Sequence, residues 1–158
     1  MVRVGSVQGA EPSHSEGIEG RRRAPGGDHQ RTLAELHKLG ALLVNCGSVV
    51  EAEPHWREVL ETRRRVLGED HPDTLSAASD LGGLLQRQGR LEGAEPFLRA
   101  TLEGRRRILG EGHADTLAAV SNLGALFLAR GLLEEAEGLL NEALAGFRRL
   151  LGDGHPLT

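Results

Sequence analysis

Residues 71–89 read HPDTLSAASDLGGLLQRQG, and 42 positions later residues 113–131 read HADTLAAVSNLGALFLARG. The likeness extends well beyond these lines. His71 to Gly112 aligns without gaps on His113 to Gly154, with 22 identities in 42 positions. Landmarks keep the same interval: His29, His71, His113 and His155; Thr32, Thr74, Thr116 and Thr158; Gly47, Gly89 and Gly131; Gly68, Gly110 and Gly152. Four series in one register define an internal repeat. A unit of this size buries its apolar face only by stacking on its neighbours. The expected organisation is a repeat at 29–70, a second at 71–112, a third at 113–154, and the opening of a further one at 155–158.

Inside a unit, two helical patterns flank a glycine turn. The first is expected to start near Asp73-Thr74, where either side-chain oxygen can cap a helix. It puts Leu75, Ala78, Leu81, Gly82 and Leu85 on one face at spacings of three and four. Gly89 ends it, being free to take positive φ. The second pattern runs from about Leu91 to Leu109, with Leu91, Ala94, Leu98, Thr101 and Leu102 inward. Pro96, like Pro54, removes a backbone donor, so this helix is expected to start no earlier than Leu91. Gly40, Gly82 and Gly124 each sacrifice roughly 1 kcal/mol of helix propensity. A recurrent cost of that kind marks a close helix approach, with Ala52, Ala94 and Ala136 as the matching small residues.

These positions resemble the tetratricopeptide repeat: Leu81-Gly82, Leu85, Gly89, Ala94 and Leu98 in one unit; Leu123-Gly124, Phe127, Gly131, Ala136 and Leu140 in the next; Leu39-Gly40, Leu43, Gly47, Ala52 and Trp56 in the first. A period of 42 exceeds the usual repeat by eight residues, roughly two helical turns or roughly 12 Å. With the linking phrase LGEDHPDTL at 67–75, it is similar to the kinesin light chain subclass. The resemblance implies an all-α fold, a right-handed α-solenoid of antiparallel helix pairs. It also implies an interaction scaffold, with motor and adaptor proteins as the partners of a true light chain. A regulatory array in a larger signalling protein, such as a nucleotide-switched ATPase, is the alternative function.

The register continues upstream. Residues 5–29 fall on 47–71 with 14 identities in 25, so residues 1–28 are expected to be an eroded half-repeat, frayed by its glycines. The break at both ends inside a unit is expected of a fragment of a longer array.

In a curved stack the first helices line the concave side, where extended peptides lie. On that side fall Lys38, Asp80 and Asn122, one residue before the core leucine of each unit, and Asn45 and Arg87 further along. Ser79, Gly83, Ser121, Ala125 and Ala129 floor the same groove. In the resembling family, an asparagine at the position of Asn122 holds a peptide main chain; Lys38 and Asp80 depart from that pattern.

Other chemistries find no support. Four of the seven histidines recur one period apart, about 10 Å by helix packing distance, too far to share a zinc ion. The arginine triplets at 63–65 and 105–107 recur at a helix end in a chain of net charge −4 with 3% aromatic residues, which suits exposed helix ends and not a nucleic-acid surface. Trp56, Phe97, Phe127 and Phe147 are expected in the core. No paired carboxylates face each other across a cleft, and no phosphate loop or metal-hydrolase motif is present, so no catalytic residue and no cofactor is expected. The one cysteine, Cys46, is expected as a buried or turn thiol. With no secretory leader pattern and no long apolar run, the expected location is the cytoplasm, away from membrane.

Overall fold

A computed structural model describes the backbone of residues 28–152. The half-repeat expected at 1–28 lies outside the described residues save for Asp28, and the repeat opening expected at 155–158 lies wholly outside them. The described chain forms six helices: α1 (Asp28–Asn45), α2 (Val49–Leu67), α3 (Pro72–Arg87), α4 (Leu91–Leu109), α5 (Ala114–Ala129) and α6 (Leu133–Leu151). No strand occurs among the described residues. The chain divides into two units, 1–55 and 56–158. In the first, Leu33, Leu36, Val44 and Ala52 are buried. The second carries the end of α2 and the four helices that follow.

Within that second unit, α3 packs on α4, α4 on α5 and α5 on α6, and α3 also touches α5. Helices thus pile up in chain order, as the repeat predicts. The pairing rests on glycine. A Cβ at Gly82 would lie 2.8 Å from Leu98, and one at Gly104 would lie 2.5 Å from Leu75. The two helices of the pair therefore exchange a leucine for a notch in each direction. One period later Gly124 meets Leu140 at 3.0 Å, and Gly146 meets Leu117. This corrects the sequence expectation: the glycine of the first helix receives a leucine, not the alanine of the second helix, while Ala94 and Ala136 are buried separately.

Helix ends differ from expectation in one respect. The caps of α3 and α5 are His71 and His113, in extended backbone, not Asp73-Thr74. Each imidazole Nδ1 accepts the amide N–H two residues on, from Asp73 or Asp115, at 3.1 Å. Pro72 then occupies the first helical turn, where its missing N–H costs no helical bond. Thr74 and Thr116 lie inside the helix and are buried. α4 begins at Leu91, as Pro96 requires.

The turns use glycine in two ways. After α3, Gly89 N–H bonds to Gln86 O and Arg90 N–H to Leu85 O, the paired bonds of a Schellman motif, with Gly89 at φ 75°. After α4, Gly110 takes φ 85° and ψ 166°, a region that glycine alone visits freely. Among the described residues the positive-φ glycines are Gly47, Gly68, Gly89, Gly110, Gly131 and Gly152, each 21 residues after the last.

Two substitutions separate notch from ordinary glycine. Gly104→Ala gains helix propensity but drives a methyl into Leu75, which is 3% exposed, so stability is expected to fall by about 1–2 kcal/mol. At Gly83 a Cβ meets nothing within 4 Å, so Gly83→Ala is expected to raise stability by about 0.5–1 kcal/mol. Urea unfolding midpoints, moving in opposite directions, check both.

Candidate protein-binding surface

Burying one face of a first helix against its second helix leaves the opposite face uncovered. On α3, Leu75, Ala78, Leu81, Gly82 and Leu85 are buried, whereas Ser79, Asp80 and Gly83 are half-buried and Arg87 is exposed. On α5, Leu117, Val120, Leu123, Gly124 and Phe127 are buried, whereas Asn122, Ala125 and Ala129 are exposed. Asp80, Arg87 and Asn122 therefore stand on two first helices that touch. Lys38 and Asn45 are exposed on α1, in the other unit. Leu128 on α5, 53% exposed beside Ala125 and Ala129, adds an apolar element that the periodicity did not single out.

The arginine triplets do more than end helices. Arg63 and Arg105 each donate to a backbone carbonyl in the first turn of the following helix, Asp73 O and Asp115 O, both at 3.1 Å. Arg64 pairs with Glu69 at 3.2 Å, Arg106 with Glu142 at 2.6 Å and Arg107 with Asp70 at 2.6 Å. The Arg107 hydrogen bond holds the Asp70 carboxyl below its ordinary range and raises the Arg107 guanidinium. A second cluster ties the start of α4 to the end of α5. Glu95 accepts from Arg99 at 2.7 Å and also pairs with Arg130, while Arg99 lies over the Phe127 ring, 5.1 Å from its centre. The hydrogen bond from Arg99, then the nearby charges of Arg99 and Arg130, lower the Glu95 carboxyl against the opposing effect of burial. Arg57 lies over Phe97 at 5.8 Å. These guanidiniums are thus engaged by the protein itself.

Of the four aromatic residues expected in the core, Phe127 is buried, whereas Trp56, Phe97 and Phe147 are only half-buried. Cys46 is an exposed thiol at the turn after α1. Among the described residues no cluster of three or more His, Cys, Asp or Glu is placed to hold a metal ion. No helix among them is long and apolar enough to cross a membrane. Ser121 and Asn122 border a hollow of about 440 Å³ whose far wall is Leu140, Leu144 and Phe147 of α6. A second hollow of about 300 Å³ lies between α4 and α6 over Leu123 and Phe127 of α5, with Arg99, Arg106 and Glu135 at its rim.

Comparison with known families matches the tetratricopeptide repeat over residues 33–107 and again over 73–149. The chain belongs to the tetratricopeptide repeat family. Its repeats recur every 42 residues, and solved structures share the fold. BtubC (BKLC) from P. vanneervenii is similar with a TM-score of 0.77 at 21% identity, covering 92% of this chain and 57% of that one. A Podosopora anserina structure of nearly identical TPR-like repeats is similar with a TM-score of 0.71 at 22% identity, covering 89% of this chain and 70% of that one. The chain thus spans little more than half the length of the BtubC structure. A comparison with curated proteins gives no match. At these identities the structural likeness speaks for the tetratricopeptide repeat fold alone.

The Glu95 cluster gives a pH test. A carboxyl lowered in the folded state contributes stability that is present above its unfolded value and is lost as the pH falls through the folded one. Glu95→Gln is expected to reduce stability at pH 7 by about 1 kcal/mol. It is also expected to flatten the loss of stability below the ordinary glutamate value of about 4.3. Thermal melts of both proteins from pH 7 to about pH 3 check the sign.

Proposed function

We propose that this chain is a protein-interaction scaffold which receives extended peptide segments of partner proteins along the uncovered faces of its first helices, in the manner of kinesin light chains. The observation that carries this reading is the division of α3 and α5 into a buried leucine and glycine face and an opposite face of small and polar residues. Small residues let a peptide backbone approach; Gly83, where added atoms would meet open space, and the exposed Ala125 and Ala129 supply that room. Asn122 offers an amide able to donate to and accept from a peptide bond, and Arg87 offers a fork of donors for carbonyl or carboxylate. Asp80 puts a charge on the α3 face, and Lys38 and Asn45 put a charge and an amide on the α1 face; each favours particular partners over peptides in general. By resemblance those partners are motor or adaptor proteins, met in the cytoplasm. Binding, not catalysis, is the activity that such a surface supports.

Peptides selected from a displayed random library on the full chain provide the test. Arg87→Ala and Asn122→Ala are each expected to weaken the selected peptides about tenfold, with helix content and melting unchanged. Arg65→Ala, at the exposed end of α2, is the control and should leave affinity as it was. Selected peptides that bind all three variants as tightly as the parent would place the binding surface elsewhere.

A further inference from the structure

Between the second helices, the repeat is broken at one place. Arg57 of α2 lies over the ring of Phe97 on α4, the next second helix. Arg99 of α4 holds the register of Arg57 one period on, but the residue one period after Phe97 is Leu139 of α6. Backbone placement at the two sites is alike. A Cβ at Gly82 would lie 3.4 Å from that of Phe97, and one at Gly124 would lie 3.3 Å from that of Leu139. With no ring on α6, Arg99 lies over Phe127 of α5, where α3 has Leu85. The aromatic ring has thus moved from the second helix to the first. Beside it lies the hollow of about 300 Å³, with Leu102, Leu123, Phe127 and Leu139 as its apolar floor.

The rim carries charges of both signs: Arg99, Glu103 and Arg106 on α4, and Glu135 on α6. Arg106 pairs through a terminal nitrogen with Glu142, while its Nε–H is buried and has no acceptor among the described residues. Glu135 is exposed and forms no ion pair with any described residue. A buried donor without an acceptor is destabilising, and a ligand oxygen relieves it. The place that Phe97 fills in the preceding interval takes an aromatic ring, which a nearby guanidinium favours. A carboxylate for Arg106 and an ammonium for Glu135, joined to that ring, make a neutral zwitterion. It matches a rim of two guanidiniums and two carboxylates, whereas an aromatic acid alone leaves both glutamates unanswered and an aromatic amine alone leaves the Arg106 Nε unpaired. A volume at the lower end of small-molecule sites suits a ligand of that size. We propose that the hollow between α4 and α6 binds a free aromatic amino acid, its ring against Phe127 and Leu139, its carboxylate on Arg106 and its ammonium on Glu135. The site shares no residue with the first-helix face that carries Arg87 and Asn122.

The probe is L-phenylalanine, titrated into the isotope-labelled full chain and followed by amide chemical shifts in NMR. Phenylacetate and phenethylamine are the analogues that each lack one of its charges. L-Phenylalanine is expected to bind with a Kd of about 1 mM, and each analogue at least about fivefold more weakly. Leu139→Phe, which supplies the ring from α6 as Phe97 supplies it from α4, is expected to abolish binding. Arg106→Gln is expected to weaken binding at least about fivefold and the exposed Glu135→Gln about threefold, with helix content checked by circular dichroism. Arg87→Ala should leave it unchanged. Failure of L-phenylalanine to bind up to about 10 mM overturns the proposal. So does binding that Leu139→Phe or Glu135→Gln leaves intact, and so does an analogue that binds as tightly as the amino acid.

Discussion

Everything in the second unit depends on leucine side chains entering notches that only glycine provides. Leu98 enters at Gly82 and Leu75 enters at Gly104, so each helix of the pair is both knob and hole for the other. A notch in a helix interior weakens that helix by roughly 1 kcal/mol, and four of them would be a poor choice for isolated helices. They are tolerable because close approach lets the leucines bury almost completely, and burial outweighs propensity at a packed interface. The same contact decides what remains outside. Once the leucine and glycine face is committed, α3 and α5 must turn their serine, alanine, asparagine and arginine positions away from the partner helix.

Charge plays a supporting part, and its pattern is tied to the repeat. Guanidiniums at 63 and 105 reach the carbonyls that open the next helix, while Arg106 and Arg107 reach carboxylates 36 and 37 residues away in sequence. Surface ion pairs of this kind contribute little each, and salt screens them. Their value lies in orientation: a planar fork held at both ends fixes the angle between consecutive elements better than an apolar contact does. A stack built this way needs few aromatic residues, and Arg57 and Arg99 use two of those present as platforms.

The fold was readable because one period governed every landmark, and period is the most robust signal a sequence carries. Chemistry that depends on orientation was less readable. Histidine at 71 and 113 looks like a loop residue until its ring is seen to accept an amide, although the repeated His-x-Asp spacing held that clue. Gly104, between Glu103 and Arg105, and Gly146, between Ala145 and Phe147, carry no signal of their own in the sequence; only the leucine pressed against each explains them. On the surface, Asp80, Arg87 and Asn122 were located from the helical face, yet Leu128 was not. α5 is apolar on nearly every side, so spacing alone cannot separate its inner leucines from its outer one.

The ladder of left-handed glycines is finer than the repeat that contains it. A duplication or deletion of one helix with its turn would return every bend to a glycine, so the backbone path would survive. It would also set a first helix where a second belongs, and leucines would confront leucines with no recess to receive them. Growth of such an array by copying is thus open to whole pairs and closed to halves. Backbone geometry tolerates both, and side-chain fit accepts only one.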